Sequence, residues 1–358
     1  MDLAMWSLRA TRALCGAGRL AAVLVLAGGT AAGGLAGGVA WAGSGDEPTK
    51  DGAGVAPASP AATDAGNGPA ADEAKTGVLE VLSTGQEPRR QLRLTAEPGR
   101  VFDMTMGMKM SMTQKIGDQE NTIPLPESVS TMMVSVTDVT PDGEMTITMG
   151  ITDMTFKADA SGSPAMAAAA KAAASGLKGT KVSMKLLPTG TTRATNLVPG
   201  EGMDKQASAL MESLTQSANQ MAPALPTEAM GVGGKWRQSL RTTMIGITME
   251  QTTEFTVVGM DDRGVDLELQ VTQTASEQDL KLPGMPMGDI KVRLLSSAGT
   301  GTGTMRIEPG VPVAARAQSS VKVEQTMRTT MGEMVSDVKQ ISSNEMTLRT
   351  EAKDGGGK

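Results

Sequence analysis

The segment from Phe102 to Met112, FDMTMGMKMSM, alternates strictly between large apolar residues and polar or small residues. Phenylalanine or methionine occupies every even position, and the odd positions carry Asp, Thr, Gly, Lys and Ser. Successive side chains of a β-strand point to opposite faces, so this period of two places the apolar groups on one side. The segment is therefore predicted to be a half-buried strand, and its apolar face needs a covering layer.

Other alternating runs on both sides of this strand predict an antiparallel sheet. The runs at 132–151 and 255–271 are each interrupted by a turn sequence, at Thr140 to Gly143 and at Asp261 to Gly264. Turn residues between two alternating runs are typical of a β-hairpin. The apolar runs within 290–307 are expected to form a further hairpin. The sequence GTGTG between them lacks a phosphate-loop ending and is attributed to a twisted or bulged strand.

Two segments have helical signals instead. Ser163-Pro164 combines an N-cap with a proline at the first helical position, and an alanine run follows to Ala174. The segment 202–222 has one apolar stripe at helical spacing and ends before Pro223. We therefore expect a β-rich α+β fold, in which a curved, mostly antiparallel and open barrel-like sheet packs against two helices.

The N-terminal residues 1–42 have the features of an export signal. Arginines precede a short apolar core at 20–27, and the small-x-small motif Ala40-Trp41-Ala42 precedes Gly43. The alternative is an uncleaved anchor formed by the uncharged segment 20–42. The predicted organisation begins with a signal peptide or anchor at 1–42 and a disordered Ala/Gly/Pro-rich linker at 43–76. A β-rich domain follows at 77–350, with two related meanders at 77–200 and 230–350 that are joined by helix 202–222. A disordered tail is predicted at 351–358.

Composition excludes several classes of chemistry. The chain has no histidine and no tyrosine, and Cys15 is its one cysteine. These absences exclude histidine metal sites and Ser-His-Asp or Cys-His catalysis, and they exclude disulfides from a chain that has lost its signal. We expect no cofactor, no metal and no enzymatic activity; an enzyme using carboxylate or lysine chemistry is the alternative. With a net charge of -6 and no basic stripe, nucleic acid is not an expected partner.

The methionine stripe has three interpretations. It can fill an irregular core, line a cavity for an apolar ligand, or bind Cu(I) through M-x-M sequences at 104–106 and 285–287. Trp236, which follows a glycine-rich turn, is interpreted as a structural anchor or as a stacking platform for a ligand. The predicted ligand-binding residues are Met104, Met106, Met108, Met110 and Trp236, with no metal site.

One sequence motif resembles a known family. Leu225-Pro226 followed by Gly231 to Trp236, GVGGKW, is similar to the P…VGxGxxW signature of a family of exported bacterial proteins of unknown function. The resemblance extends over about 77–350 in the order of elements, and it implies no functional residue. The layout is similar, more loosely, to the open half-barrel of lipoprotein carriers, in which a curved sheet wraps helices and holds acyl chains.

Together these observations predict an exported or periplasmic protein of the bacterial envelope that acts as a non-catalytic binding or structural module. An apolar ligand or an envelope protein is the expected partner, and membrane contact is expected only through residues 20–42 if they are not cleaved. The alternative function is that of a carrier of an apolar ligand or lipid in a methionine-lined cavity.

Overall fold

The computed structural model describes residues 77–117, 119–125, 127–157, 178–198, 222–244, 247–280 and 290–353. Every regular element within these ranges is a β-strand. The strands are β1 (Val78–Ser83), β2 (Arg90–Gln91), β3 (Val101–Ile116), β4 (Gln119–Pro124), β5 (Glu127–Val139), β6 (Met145–Lys157), β7 (Lys181–Leu186), β8 (Thr192–Val198), β9 (Ala229–Met230), β10 (Lys235–Met244), β11 (Ile247–Asp261), β12 (Gly264–Ala275), β13 (Gln278–Leu280), β14 (Ile290–Ile307), β15 (Arg316–Met331) and β16 (Met334–Ala352). In this part of the chain no helix is long and apolar enough to cross a membrane.

One antiparallel sheet contains all of these strands except β2 and β9, which pair with each other. Its order is β1-β10-β11-β12-β14-β15-β16-β3-β5-β6-β7-β8, with β13 paired to β14 and β4 paired to β3. The sheet is not closed, and β1 and β8 are its edges. The C-terminal strand β16 lies near the middle, between β15 and β3. The two predicted meanders therefore belong to a single sheet.

The predicted α+β class with two packed helices is wrong, because the described chain is all-β. The segments with helical signals, 163–174 and 202–222, lie outside the described residues except for Ala222. The main apolar core joins side chains from strands of both halves with loop residues such as Leu94 and Leu225. Within the described ranges, the sheet buries one face against itself and its own loops, and these supply the second layer that an apolar face requires.

The segments predicted as signal or anchor and as linker, 1–42 and 43–76, also lie outside the described residues. At the other end of the chain, β16 continues to Ala352, which is two residues into the segment 351–358 expected as a tail. Residues 354–358 are outside the described ranges.

The prediction that β3 is a half-buried strand is confirmed. Its buried side chains are Phe102, Met104, Met106, Met108, Met112 and Gln114, and Met110 is partly buried against the same core. The odd positions between them are exposed or half-buried. The predicted turns are confirmed as well, since Thr140 to Gly143 joins β5 to β6 and Asp261 to Gly264 joins β11 to β12.

Residues 290–307 form one continuous strand, β14, and the hairpin predicted there is wrong. Gly299, Gly301 and Gly303 lie in the middle of this strand, on the same face as its buried side chains. A Cβ atom on Gly301 would lie 2.6 Å from Cγ2 of Val321 and 2.7 Å from a backbone oxygen of β15. The glycines therefore allow β15 to approach β14 closely from the side as its paired neighbour, as expected for a twisted strand.

The inner face of the sheet, which is the face that carries the buried side chains, has a main apolar core, a second apolar cluster and a small third cluster formed by Val321 and Val323. The main core contains the stacked rings of Trp236 and Phe255, whose centroids are 5.1 Å apart, and the buried side chains of β3 from Phe102 to Met108. The second apolar cluster consists of Ile247, Met249, Leu280, Val292, Leu294, Met327 and Val338. The main core and the second cluster occupy opposite ends of the long strands, so a band of the inner face between them belongs to neither.

Candidate functional site

The residues predicted to bind a ligand lie together in the main core. Met104, Met106 and Met108 are buried there, Met110 packs against it, and Trp236 is fully buried. The indole Nε1–H of Trp236 donates a hydrogen bond to the backbone oxygen of Ala224 at 2.9 Å. The indole is thus held on its face by Phe255 and at its edge by the backbone. The second M-x-M sequence, at 285–287, lies outside the described residues.

The glycines of the signature motif have a packing role. The N–H of Gly231 donates to the oxygen of Thr84, and the N–H of Gln86 donates to the oxygen of Val232, each at 2.8 Å. A Cβ atom on Gly231 would lie 1.7 Å from the backbone oxygen of Gln86, so only glycine fits. Gly233 has a φ of 80°, in the left-handed region. These residues fasten the loop after β1 to the turn before β10 and carry no reactive group.

A row of polar side chains crosses the inner face between the main core and the second apolar cluster. We call it the amide belt, and it consists of Gln251 and Thr253 on β11, Gln273 on β12, Gln325 on β15, Gln340, Ser342 and Asn344 on β16, and Gln114 on β3, all of them buried. Along β16, for example, the belt lies between Val338 of the second cluster and Met346 of the main core. The alternation of each strand places these residues inside, although they are polar.

Three glutamines of the belt face one another on adjacent strands. Gln325 on β15 is in register with Gln340 on β16, and Gln340 is in register with Gln114 on β3. Neighbouring strands lie about 4.7–4.9 Å apart, so the three amides form a row perpendicular to the strands. We call this row the glutamine ladder. Ser297 on β14 extends it, because Nε2 of Gln325 donates to its Oγ at 3.2 Å.

Four amide oxygens of the belt have no hydrogen-bond partner, and they belong to Gln273, Gln325, Gln340 and Asn344. These side chains are 3%, 1%, 1% and 6% exposed, so they are buried away from bulk solvent. One pair within the belt is satisfied, since Nε2 of Gln273 donates to Oε1 of Gln251 at 2.7 Å. Buried polar groups are normally paired, and each exception calls for a physical reason. The belt therefore holds four buried acceptors that no group of the described chain satisfies.

Charged groups form ion pairs away from the belt, which itself contains no charged side chain. Arg306 on β14 donates to Asp266 at 2.7 Å, and it also binds Asp261 and Glu308 at 3.0 Å. The hydrogen bond to Asp266 is the main cause of a raised pKa for Arg306. Burial acts to raise the pKa of Asp261, but hydrogen bonds from Arg306 and the backbone lower it below the ordinary value of 3.8. Among the described residues no cluster of carboxylates, histidines or cysteines is arranged to bind a metal.

The amide belt was not predicted from the sequence, although the signal is present there. Gln325, Gln340 and Asn344 occupy positions in alternating runs that share their face with apolar residues such as Met327 and Met346. A polar residue at such a position is either buried with a partner or marks an error in the assigned face. In each run, the parity of the apolar residues continues through the polar positions and so indicates that these side chains face inward.

No family of known proteins matches the sequence, and no curated protein matches it. Among solved structures, the chain is similar to a mutant of the porin of Rh. blastica, with 7% identity over 68% of this chain and 99% of that chain and a TM-score of 0.20. It is similar to an outer membrane channel from Pseudomonas putida, with 8% identity over 72% and 97% of the two chains and a TM-score of 0.17. It is also similar to OpdO of Pseudomonas aeruginosa, with 5% identity over 72% of this chain and 98% of that chain and a TM-score of 0.18. At such TM-scores the backbones do not superpose as whole folds, and the likeness supports no conclusion about fold or function.

Proposed function

We propose that this protein is a non-catalytic binding module of the bacterial cell envelope and that the amide belt contacts its ligand. The observation that carries the proposal is the set of buried amide oxygens without partners at Gln273, Gln325, Gln340 and Asn344. Each unpaired buried acceptor costs about 1–3 kcal/mol. A ligand that donates hydrogen bonds would remove this cost, and part of its binding free energy would come from doing so.

A purely structural belt would be expected to pair its own groups, as Gln251 and Gln273 do. The glutamine ladder differs from that pair. Gln325 and Gln340 face each other in register, yet neither Oε1 accepts a hydrogen bond. Groups placed side by side but left unpaired favour an external donor over an internal network.

The absence of tuned acid–base groups supports a non-catalytic role. A catalytic acid or base needs a pKa near the working pH, and burial or like charges usually move it there. In the described part of the chain, the shifted pKa values move away from neutral pH instead of toward it. The pKa of Asp142, Asp261 and Asp337 is lowered, and the pKa of Arg306 and Arg328 is raised, so each group keeps its ordinary charge at neutral pH.

The envelope location in this proposal rests on the export features of residues 1–42 and on the motif at 225–236, which resembles that of an exported family. The proposed partner is a ligand or another envelope component, and nucleic acid is not proposed because the chain carries a net charge of -6.

Native mass spectrometry of protein purified from its own envelope tests the proposal. We expect a non-covalent small-molecule adduct on the wild type, and we expect Gln340→Met to lose it. Gln270→Met is the matched control, because Gln270 is exposed on the outer face of β12, and this variant should keep the adduct. A wild type that shows only the mass of the chain would contradict the proposal, as would an adduct that both variants retain equally.

A further inference from the structure

We propose that the free edge of β1 binds an extended segment of another protein, which adds to the sheet as a further antiparallel strand and carries a basic residue opposite Glu80. The inference goes beyond the proposed function, because β1 contributes no residue to the amide belt and the partner is a polypeptide. It rests on an edge that no other described strand covers, on apolar side chains along that edge, and on the carboxylate between them.

The strand β1 has one neighbour among the strands of the described ranges. It pairs with β10 in regular register from Val78↔Ser239 to Val81↔Trp236, and no described strand pairs with its other side. Every second residue of an edge strand points its N–H and C=O groups away from the sheet, where another chain can pair with them. Proteins commonly protect such edges with proline or lysine, and the sequence VLEVLS of β1 contains neither. Within the described chain, this edge is therefore suited to the addition of a strand.

Side chains on both faces of β1 offer apolar contacts. On the inner face, Leu79 and Val81 are partly buried against the main core. On the outer face Val78 is 75% exposed, and Leu82, at the register shift that follows Val81, is 39% exposed. In an antiparallel pair, directly opposite side chains lie on the same face with Cβ atoms about 4.5–5.5 Å apart. An added strand would therefore cover Val78 and extend the packing of Leu79 and Val81 beyond the present edge of the core.

The charge of the partner is selected by Glu80. Its carboxylate lies on the outer face, because Glu80 alternates with the inner-face residues, and it is 3.6 Å from Arg237 of β10. Arg237 also binds Glu254 at 3.4 Å, so Glu80 shares this cation and can accept further hydrogen bonds. A lysine or arginine directly opposite Glu80 gives a favourable cross-strand ion pair, whereas a like charge there is destabilising.

The same carboxylate argues against a second copy of this chain as the partner. Two β1 strands related by a two-fold axis pair residues of the same parity when their outer faces lie on the same side. The register that covers Val78 with Leu82 of the other copy also brings the two Glu80 carboxylates face to face. A register centred one residue later leaves Val78 beyond the paired stretch. A different chain with a basic residue at the central position meets neither problem.

Fluorescence anisotropy of a labelled peptide, SVTKTVS, titrated with the full chain tests the inference. In this peptide two valines flank the lysine on one face, and threonines occupy the other face. We expect saturable binding, and we expect glutamate in place of the lysine to weaken it by about fivefold. Glu80→Lys in the protein should reverse this preference, so that the glutamate peptide binds more tightly than the lysine peptide. Glu268→Lys is the matched control, since Glu268 is exposed on the outer face of β12, and it should keep the wild-type preference.

Methylation of the peptide backbone tests the mode of binding. Alternate N–H groups of an added strand point toward β1. Of two analogues, N-methylated either at the valines and lysine or at the threonines, one should therefore lose binding and the other should keep it. Equal behaviour of the two analogues would overturn the inference, as would a Glu80→Lys variant that keeps the wild-type preference. A full chain that sediments as a dimer, and that the peptide does not dissociate, would also overturn it, because a second copy would then occupy the edge.

Discussion

Replacing Gln340 by methionine should stabilise the ligand-free protein. Gln340 is 1% exposed and its Oε1 has no partner, so the folded state carries the cost of an unpaired acceptor, about 1–3 kcal/mol. Methionine has a similar length and removes that acceptor. Imperfect repacking of a volume-conserving substitution costs less than about 1.5 kcal/mol. The expected net change is a gain of about 1 kcal/mol in the free energy of unfolding. Urea unfolding of the refolded, ligand-free variant and wild type measures this difference.

The same substitution at Gln251 provides a control of opposite sign. Oε1 of Gln251 accepts the hydrogen bond from Gln273 at 2.7 Å, so Gln251→Met leaves the buried Nε2 of Gln273 without its acceptor. We expect a loss of about 1–3 kcal/mol. If Gln340→Met instead destabilised the protein as much as Gln251→Met does, the oxygen of Gln340 would be satisfied in the ligand-free state. The unpaired oxygens of the belt would then give no reason to expect a ligand.

Three further outcomes are expected from other parts of the sheet. Met108→Ala should lower the free energy of unfolding by about 2–5 kcal/mol. Thr105→Lys on the exposed face should change it by no more than about 0.5 kcal/mol. Similar losses for the two variants in urea melts would mean that both faces of β3 are buried. Gly301→Ala should lower the free energy of unfolding by about 1–3 kcal/mol, because its Cβ would lie 2.6 Å from a β15 side chain. The nearest contact of a Cβ on Gly150 is 3.6 Å, so Gly150→Ala should leave the thermal midpoint nearly unchanged or slightly raised. Asp261 has a folded pKa below 3.8, so its carboxylate contributes stability in full above that value and loses the contribution as the pH falls through the folded pKa. The difference in stability between wild type and Asp261→Asn should therefore stay constant at higher pH and shrink below pH 3.8; a difference that does not vary with pH would contradict this.

The local features of the fold were predictable because they depend on neighbouring residues. The alternation from Phe102 to Met112 specifies which side chains of β3 are buried without reference to any other strand. The turns at 140–143 and 261–264 were found for the same reason, since proline, aspartate and glycine favour tight turns locally. Burial of Trp236 likewise agrees with its interpretation as an anchor.

The remaining features depend on contacts between distant segments. The glycines at 299, 301 and 303 locally predict an interruption of the strand at this part of the sequence. The close approach of β15 explains why they instead lie within one continuous strand, β14. Helical signals at 163–174 and 202–222 led to a fold class that the described chain does not have. The glutamine ladder was missed because its members are distant in the sequence, and Gln114 meets Gln340 only through the pairing of β3 with β16.

That pairing has a consequence for the order in which the protein folds. β3 and β16 are in register from Phe102↔Ala352 to Ile116↔Val338, whereas β5 covers only the first half of β3 and β4 the second. The main partner of β3 is thus the strand that comes last in the described part of the chain. Pairings between such distant segments form slowly, because a long loop must close before the contacts are made. We therefore expect the central strand pair to form only after β16 has been synthesised, when β3 has already waited for most of the sheet. Removal of residues 334–352 would not trim an edge; it would divide the sheet into two separate halves.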